Sequence, residues 1–341
     1  MRMRRSPLAP LALALALVLP APAVAQIARE AVDLAVVQKI REEGLERSRI
    51  EEMARWLTEV NGPRLTGSPG MKLANEWTAE KFRSWGLTNV QVEPWGDFGR
   101  GWANEAYAGR ILTPFQQPLQ GQPLAWTGST QGTVRGQAMV VNAASMDDVE
   151  AYRGKLGGAI LLMEEPQPTP PEFEHQDRRT PLEDLLEPQP AQAGGAAMSE
   201  ADRQAMMARM RAGREAQKAL QALATEEGAL AFLRISSRDH GVIRGGSAGS
   251  RTAGDPEGLP HVALSREQYN QIWRNVSAGI PVELELNVRN RFYEEDLKAY
   301  NTLADLPGTD KADELVMLGA HLDSWHMGGG ATDNAAGSVV M

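Results

Sequence analysis

The chain contains no cysteine among its 341 residues. That excludes a disulfide framework and a lipid anchor attached through cysteine, so stability has to come from apolar packing, to which bound metal can add. A membrane-spanning run is also missing. The apolar stretch from Leu8 to Leu19 is shorter than the ~20 residues that cross a bilayer, and Pro20 and Pro22 follow it at once. Nor is there a basic excess: 35 Lys and Arg stand against 44 Asp and Glu, which disfavours nucleic acid or an anionic membrane surface as a partner.

What the N-terminus does contain is a pattern. Arg2, Arg4 and Arg5 precede the apolar run, and Ala23-Val24-Ala25 precedes Gln26, which is the charged region, hydrophobic region and A-x-A site of a secretory signal peptide. Cleavage after Ala25 is expected, giving a secreted or periplasmic protein of 341 − 25 = 316 residues. Its charge would be 35 − 3 = 32 basic against 44 acidic groups, or −12. That length suits two domains, each able to bury its own core.

Ile40, Leu45, Ile50, Met53, Trp56 and Leu57 recur at helical intervals and predict one or two amphipathic helices. "NGPRLTGSPG" (61–70) breaks them, and a helix over 71–85 follows, with Gly86 as its stop. "NVQVEPW" (89–95) alternates like a strand, so the chain opens as an α/β domain. From 114 to 281 the texture changes to short strands at 132–143, 157–165, 228–236 and 259–265, which predicts a separate β-rich module. Inside it, the Pro- and Gln-rich segment 166–195 reads as an exposed excursion, and 200–225 as a long helix capped by Ser199 or Asp202. Met206, Met207 and Met210 on that helix read as an apolar packing face rather than a soft-metal site. Residues 282–303 predict two adjacent strands joined by the charged turn 293–296, and the apolar run "DELVMLGAH" (313–321) a strand buried on both faces.

His321 ends that run, where ligand sites of open α/β sheets form. Asp323, two residues on along an extended chain, can hold its second ring nitrogen, as zinc-binding imidazoles require. The glycine-rich loop 327–332 turns the chain and delivers Asp333 to the N-cap of "NAAGSVVM", where one carboxylate oxygen is left for a cation. His326 reads as a loop residue or pocket wall and Ser324 as a weaker candidate, while His175, His240 and His261 carry no ligand spacing.

"HLDSW…GGGATDNAAGSVV" resembles the zinc exopeptidases of the co-catalytic dizinc family, peptidase family twenty-eight, and HLDSW is similar to its carboxypeptidase Q branch. "GPRLTGSPG" with "ANEWTAEKFRSWGL" looks like that family's N-terminal helices, and "YRGKLGGAILL" with "GALAFLR" like its inserted protease-associated domain. The resemblance implies a mixed α/β sheet flanked by helices, with peptidase segments at 26–113 and 282–341 around an inserted domain at 114–281. It implies that His321 binds one zinc, Asp333 bridges two, and Asp323 orients His321, with Trp325 and His326 lining the pocket. The implied substrate is a peptide or dipeptide.

The family's base and next ligand are consecutive glutamates beyond the bridging Asp, and this chain has none there. Glu164-Glu165 and Glu294-Glu295 precede His321 and read as a strand end and a solvated turn. The expectation is therefore an N-terminal fragment that by itself holds zinc weakly and does not turn over. The competing reading is a non-catalytic, peptidase-like binding protein.

Overall fold

A computed structural model describes residues 32–171, 173, 179–186 and 199–341. The expected signal peptide, His175 and most of the excursion between 172 and 198 lie outside the described residues. The described residues fall into two compact units that divide between residues 49 and 50. The first contains α1 (Leu34–Glu46), whose N-terminus Asp33 caps by accepting from the Ala35 and Val36 amides. No described helix is long and apolar enough to cross a membrane.

The second unit begins with α2 (Ile50–Arg55), which runs into a wider helical turn, Trp56–Val60. Ser68 caps α3 (Pro69–Ser84) through the Met71 amide, and proline occupies the first turn, where no amide partner is needed. Gly86 follows at φ 83°, the left-handed stop that the sequence predicts. Next come β1 (Thr88–Asp97), β2 (Gly101–Ile111), β3 (Gln117–Pro118), β4 (Gly121–Pro123) and β5 (Val134–Val140). After α4 (Met146–Ala151), β6 (Ile160–Leu162) and α5 (Leu182–Leu186) comes the long α6 (Glu200–Glu226). The chain continues through β7 (Ala231–Ile235), β8 (His261–Leu264), α7 (Arg266–Ser277), β9 (Glu283–Tyr293), β10 (Lys298–Asp305) and α8 (Ala336–Val340).

Eight strands form one mixed sheet in the order β3-β2-β9-β5-β6-β7-β8-β4. The β5-β6-β7-β8 pairs run parallel and the others antiparallel. Covered on both faces, β6 is apolar throughout and β7 and β8 nearly so, with Arg234 and His261 as the exceptions. Ile160, Leu162 and Leu233 point into the layer that holds Tyr269 and Ile272 of α7, while Leu161 and Phe232 point into the layer that holds Ala216, Leu220, Leu223 and Ala224 of α6. The fold is thus α/β, a mixed sheet flanked by helices.

Three expectations need correction. Residues 282–303 do not form a hairpin: β9 pairs with β2 and β5, whereas β10 pairs antiparallel with β1 in a separate two-stranded sheet. Leu284, Leu286 and Val288 gain more by entering the large core than by facing β10. Met206, Met207 and Met210 are exposed, since α6 begins to bury its apolar face only at Ala216. The run 313–320 is not a strand, and Leu315, Val316, Met317 and Leu318 are 72–88% exposed. An apolar run becomes a buried strand only when neighbours satisfy its backbone on both edges, and no described strand pairs with it.

His261, on β8, packs its ring against Phe232 at 4.6 Å between centroids. Burial, with the Arg234 charge adding to it, lowers its pKa to about 3. An unfolded imidazole takes up its proton near pH ~6.5, so between there and about 3 the unfolded chain binds more protons and stability falls as pH falls, by at most ~1.4 kcal/mol per pH unit. A His261→Leu variant should therefore lose less stability than the parent between about pH 7 and about pH 4.5, read from urea unfolding midpoints.

Candidate metal centre

The segment 321–338 is held by a small apolar cluster in which Leu57, Ala74 of α3, and Ala335 and Val339 at α8 pack with Leu322. Against this cluster lies the turn 61–68. Arg64 is fully buried, and its guanidinium donates to the carbonyls of Leu57, Gly62, Leu322, Gly329 and Gly330 at 2.7–3.0 Å. The Arg64 amide donates to Ser324 Oγ and the Ser324 amide to the Arg64 carbonyl, both at 3.0 Å. Burial lowers the Arg64 pKa and the nearby Asp323 charge opposes that shift, leaving a cation at any working pH.

On this plate His321 stands between two carboxylates. Its Nδ1 is 2.9 Å from Asp323 Oδ1 and its Nε2 is 3.1 Å from Asp333 Oδ1. Thr66 Oγ1 donates to Asp323 Oδ2 at 2.5 Å. The His321 carbonyl accepts from Asn334 Nδ2 at 3.1 Å and Ser338 Oγ at 3.0 Å, tying the chain before the loop to α8 after it.

Asp333 is not a helix cap. The backbone at Asp333 and Asn334 is non-helical, α8 starts at Ala336, and its N-terminal residue, Ala335, makes no side-chain cap. The Asp333 carboxylate lies too far back along the chain to serve the helix, and it faces His321 instead.

Gly330 makes the loop possible. It sits at φ 62°, and a Cβ there would come within 2.3 Å of Ser324 Cβ and 2.9 Å of Arg64 Nη2. Gly330→Ala should cost about 2 kcal/mol or more, through positive φ and overpacking together. Gly328, whose added Cβ would meet nothing within 4 Å, supplies the control: Gly328→Ala should stay within about 0.5 kcal/mol. Thermal unfolding of both variants checks this.

The donor set fits zinc. An imidazole nitrogen and a carboxylate oxygen on one tetrahedral zinc lie ~3.3 Å apart, given bonds of ~2.0–2.2 Å. The 3.1 Å between His321 Nε2 and Asp333 Oδ1 is close to that edge. Both side chains are solvent-accessible, at 56% and 78%. Among the described residues no group of three or more His, Cys, Asp and Glu is placed to hold a metal.

His326 turns into the scaffold. Its Nε2 donates to the Pro123 carbonyl at 2.7 Å, its ring meets Trp102 edge-on at 4.9 Å, and burial lowers its pKa. Trp325 stays 48% exposed, with its ring beside Gly246. Glu164 anchors the β6–β7 end, accepting from the Ile235 amide at 2.7 Å and Arg234 at 2.5 Å. Glu294 takes an ion pair from the buried Arg100. Sequence reasoning missed Arg64 and Thr66. Their only signal was a position inside "GPRLTG", a turn whose Gly and Pro spacing says nothing about what its side chains reach.

Residues 301–341 match peptidase family M28. Carboxypeptidase Q of Pongo abelii is 23% identical over 320 residues, which cover 92% of this chain and 56% of that protein. Leucine aminopeptidase 2 of Trichophyton equinum is 34% identical over 97 residues, 28% of this chain and 19% of that protein. The crystal structure of a peptidase M28 precursor from Shewanella amazonensis SB2B shares the fold, with a TM-score of 0.55 at 24% identity over 90% of this chain and 61% of its own. The chain thus spans about half the length of the curated carboxypeptidase it matches, 56%. Most of the chain is thus similar to carboxypeptidase Q, and the segment carrying His321 and Asp333 to peptidase family M28, on a fold shared with the Shewanella protein.

Proposed function

We propose that this chain is part of a secreted or periplasmic zinc exopeptidase that hydrolyses terminal peptide bonds, of aminopeptidase or carboxypeptidase/dipeptidase type. The observation that carries the reading is His321 set between Asp323 and Asp333, with its Nε2 toward the second carboxylate. Zinc, two ions in the complete enzyme, supplies a water acidified toward neutrality and a polarised scissile carbonyl. His321 binds through Nε2, which requires the proton to sit on Nδ1, where Asp323 Oδ1 accepts it. Asp333, which caps no helix and faces His321, would be the carboxylate shared between the ions. Trp325 offers an exposed flat ring beside the site for a substrate side chain. His326 fixes the wall behind it.

The catalytic glutamate and the remaining ligands belong, in this reading, to polypeptide outside this chain. The exposed run Leu315–Leu318 and the 56% coverage support that. Residues 1–25 act as the signal peptide, and 114–281 as a protease-associated insert between the two peptidase segments, 26–113 and 282–341. The absence of a third described ligand keeps a second reading in play, a peptidase-like protein that binds peptide without cleaving it. Zinc content and hydrolysis of dipeptides and aminoacyl amides by the complete polypeptide separate the two. Zinc bound in stoichiometric amount with turnover supports the enzyme, and peptide binding without turnover supports the alternative.

A further inference from the structure

We propose that Thr66 is a positioning residue for His321, acting through Asp323. The Asp323 carboxylate has two oxygens and each has one partner: Oδ1 takes His321 Nδ1 at 2.9 Å, and Oδ2 takes the Thr66 hydroxyl at 2.5 Å. A carboxylate held at one oxygen can swing about its χ angles, whereas one held at both presents a fixed acceptor to the imidazole. Asp323 is 41% exposed at its side chain, so without the second hold water competes for both oxygens.

Thr66 is suited to that task. Its branched Cβ restricts χ1, and the turn that carries it is pinned on either side. On one side is the buried Arg64. On the other, Leu65 packs with Trp102, Ala125 and Trp126, and the Ser68 amide closes the turn on the Leu65 carbonyl at 2.8 Å. The donor is thus delivered by a rigid element 257 residues away in sequence from the acid it holds. The consequence for the ring is a held Nδ1–H, which fixes the imidazole plane and keeps Nε2 directed at Asp333.

The consequence for zinc rests on the metallopeptidase reading, but the hydrogen bond at Nδ1 does not. The test therefore reads both in the parent, Thr66→Val, which keeps the shape without the hydroxyl, Thr66→Ala, which guards against a packing fault of valine, and Thr66→Ser, which keeps the hydroxyl. In the metal-free protein the His321 ring protons are followed by nitrogen-edited NMR, where an Nδ1–H held by a fixed acceptor is shifted downfield and exchanges slowly with water. The parent and Thr66→Ser should show that signal, and the hydroxyl-free variants should lose it to exchange. Zinc affinity by chelator competition should fall ~10–100-fold in Thr66→Val and recover in Thr66→Ser. A parent-like Nδ1–H signal in both hydroxyl-free variants overturns the proposal, whatever zinc does. Loss of the signal in those variants alone, in a protein that binds no zinc in any form, upholds it and overturns the metallopeptidase reading instead.

Discussion

Replacing Arg64 by methionine should destabilise the fold by about 3–5 kcal/mol, among the largest effects a single substitution has here. Methionine approximates the volume of the arginine stem, so the effect isolates the guanidinium. Five carbonyls accept from that group, those of Leu57, Gly62, Leu322, Gly329 and Gly330. Each carbonyl left buried without a donor costs ~1–3 kcal/mol, and the five do not add because the loop relaxes around the gap. Arg64→Lys keeps the charge, but three donors on a flexible stem cannot reproduce a planar fork serving five acceptors, so it should fall between the parent and Arg64→Met. Urea unfolding with an unchanged m-value measures the difference, and a loss under about 1 kcal/mol for Arg64→Met would show that the loop needs no such clamp.

The second large effect is on chemistry. In the complete polypeptide His321→Ala and Asp333→Ala should each lower kcat/KM by ~10³-fold or more, since the metal's several kcal/mol of transition-state stabilisation is lost with its ligand and every ~1.4 kcal/mol is tenfold. Zinc content should drop in the same variants while the unfolding midpoints of the metal-free proteins move little, because both side chains are largely exposed. That combination separates ligand loss from unfolding. Unchanged zinc stoichiometry and unchanged hydrolysis in both variants would sink the assignment. The 341-residue chain by itself should bind zinc only weakly, since His321 and Asp333 would fill two positions of a four-coordinate ion and no group of three or more such side chains stands together among the described residues.

The local signals were legible because their causes are local. Ser199 accepts from the Asp202 amide three residues on, which is why a serine before an apolar period marks a helix start. Gly86 stops α3 for a reason carried by its own φ angle. The pair His321 and Asp323 was readable for the same reason, since two residues of extended chain place both side chains on one side. Asp333 was readable as a partner but not for its stated reason. The loop brings it to His321, while the helix it was expected to cap begins three residues later.

The sequence by itself determined the candidate groups, a histidine and two aspartates, and the glycine loop between them. Only the tertiary structure decided what holds those groups. Arg64 and Thr66 reach across about 260 residues to the loop, β9 and β10 part into different sheets, and the apolar run before His321 lies exposed. The physical reason is one of range. Caps, turns and periodicity depend on neighbours within a few residues, whereas a buried guanidinium or a strand's partner depends on which distant backbone groups are left needing a hydrogen bond once the chain has packed.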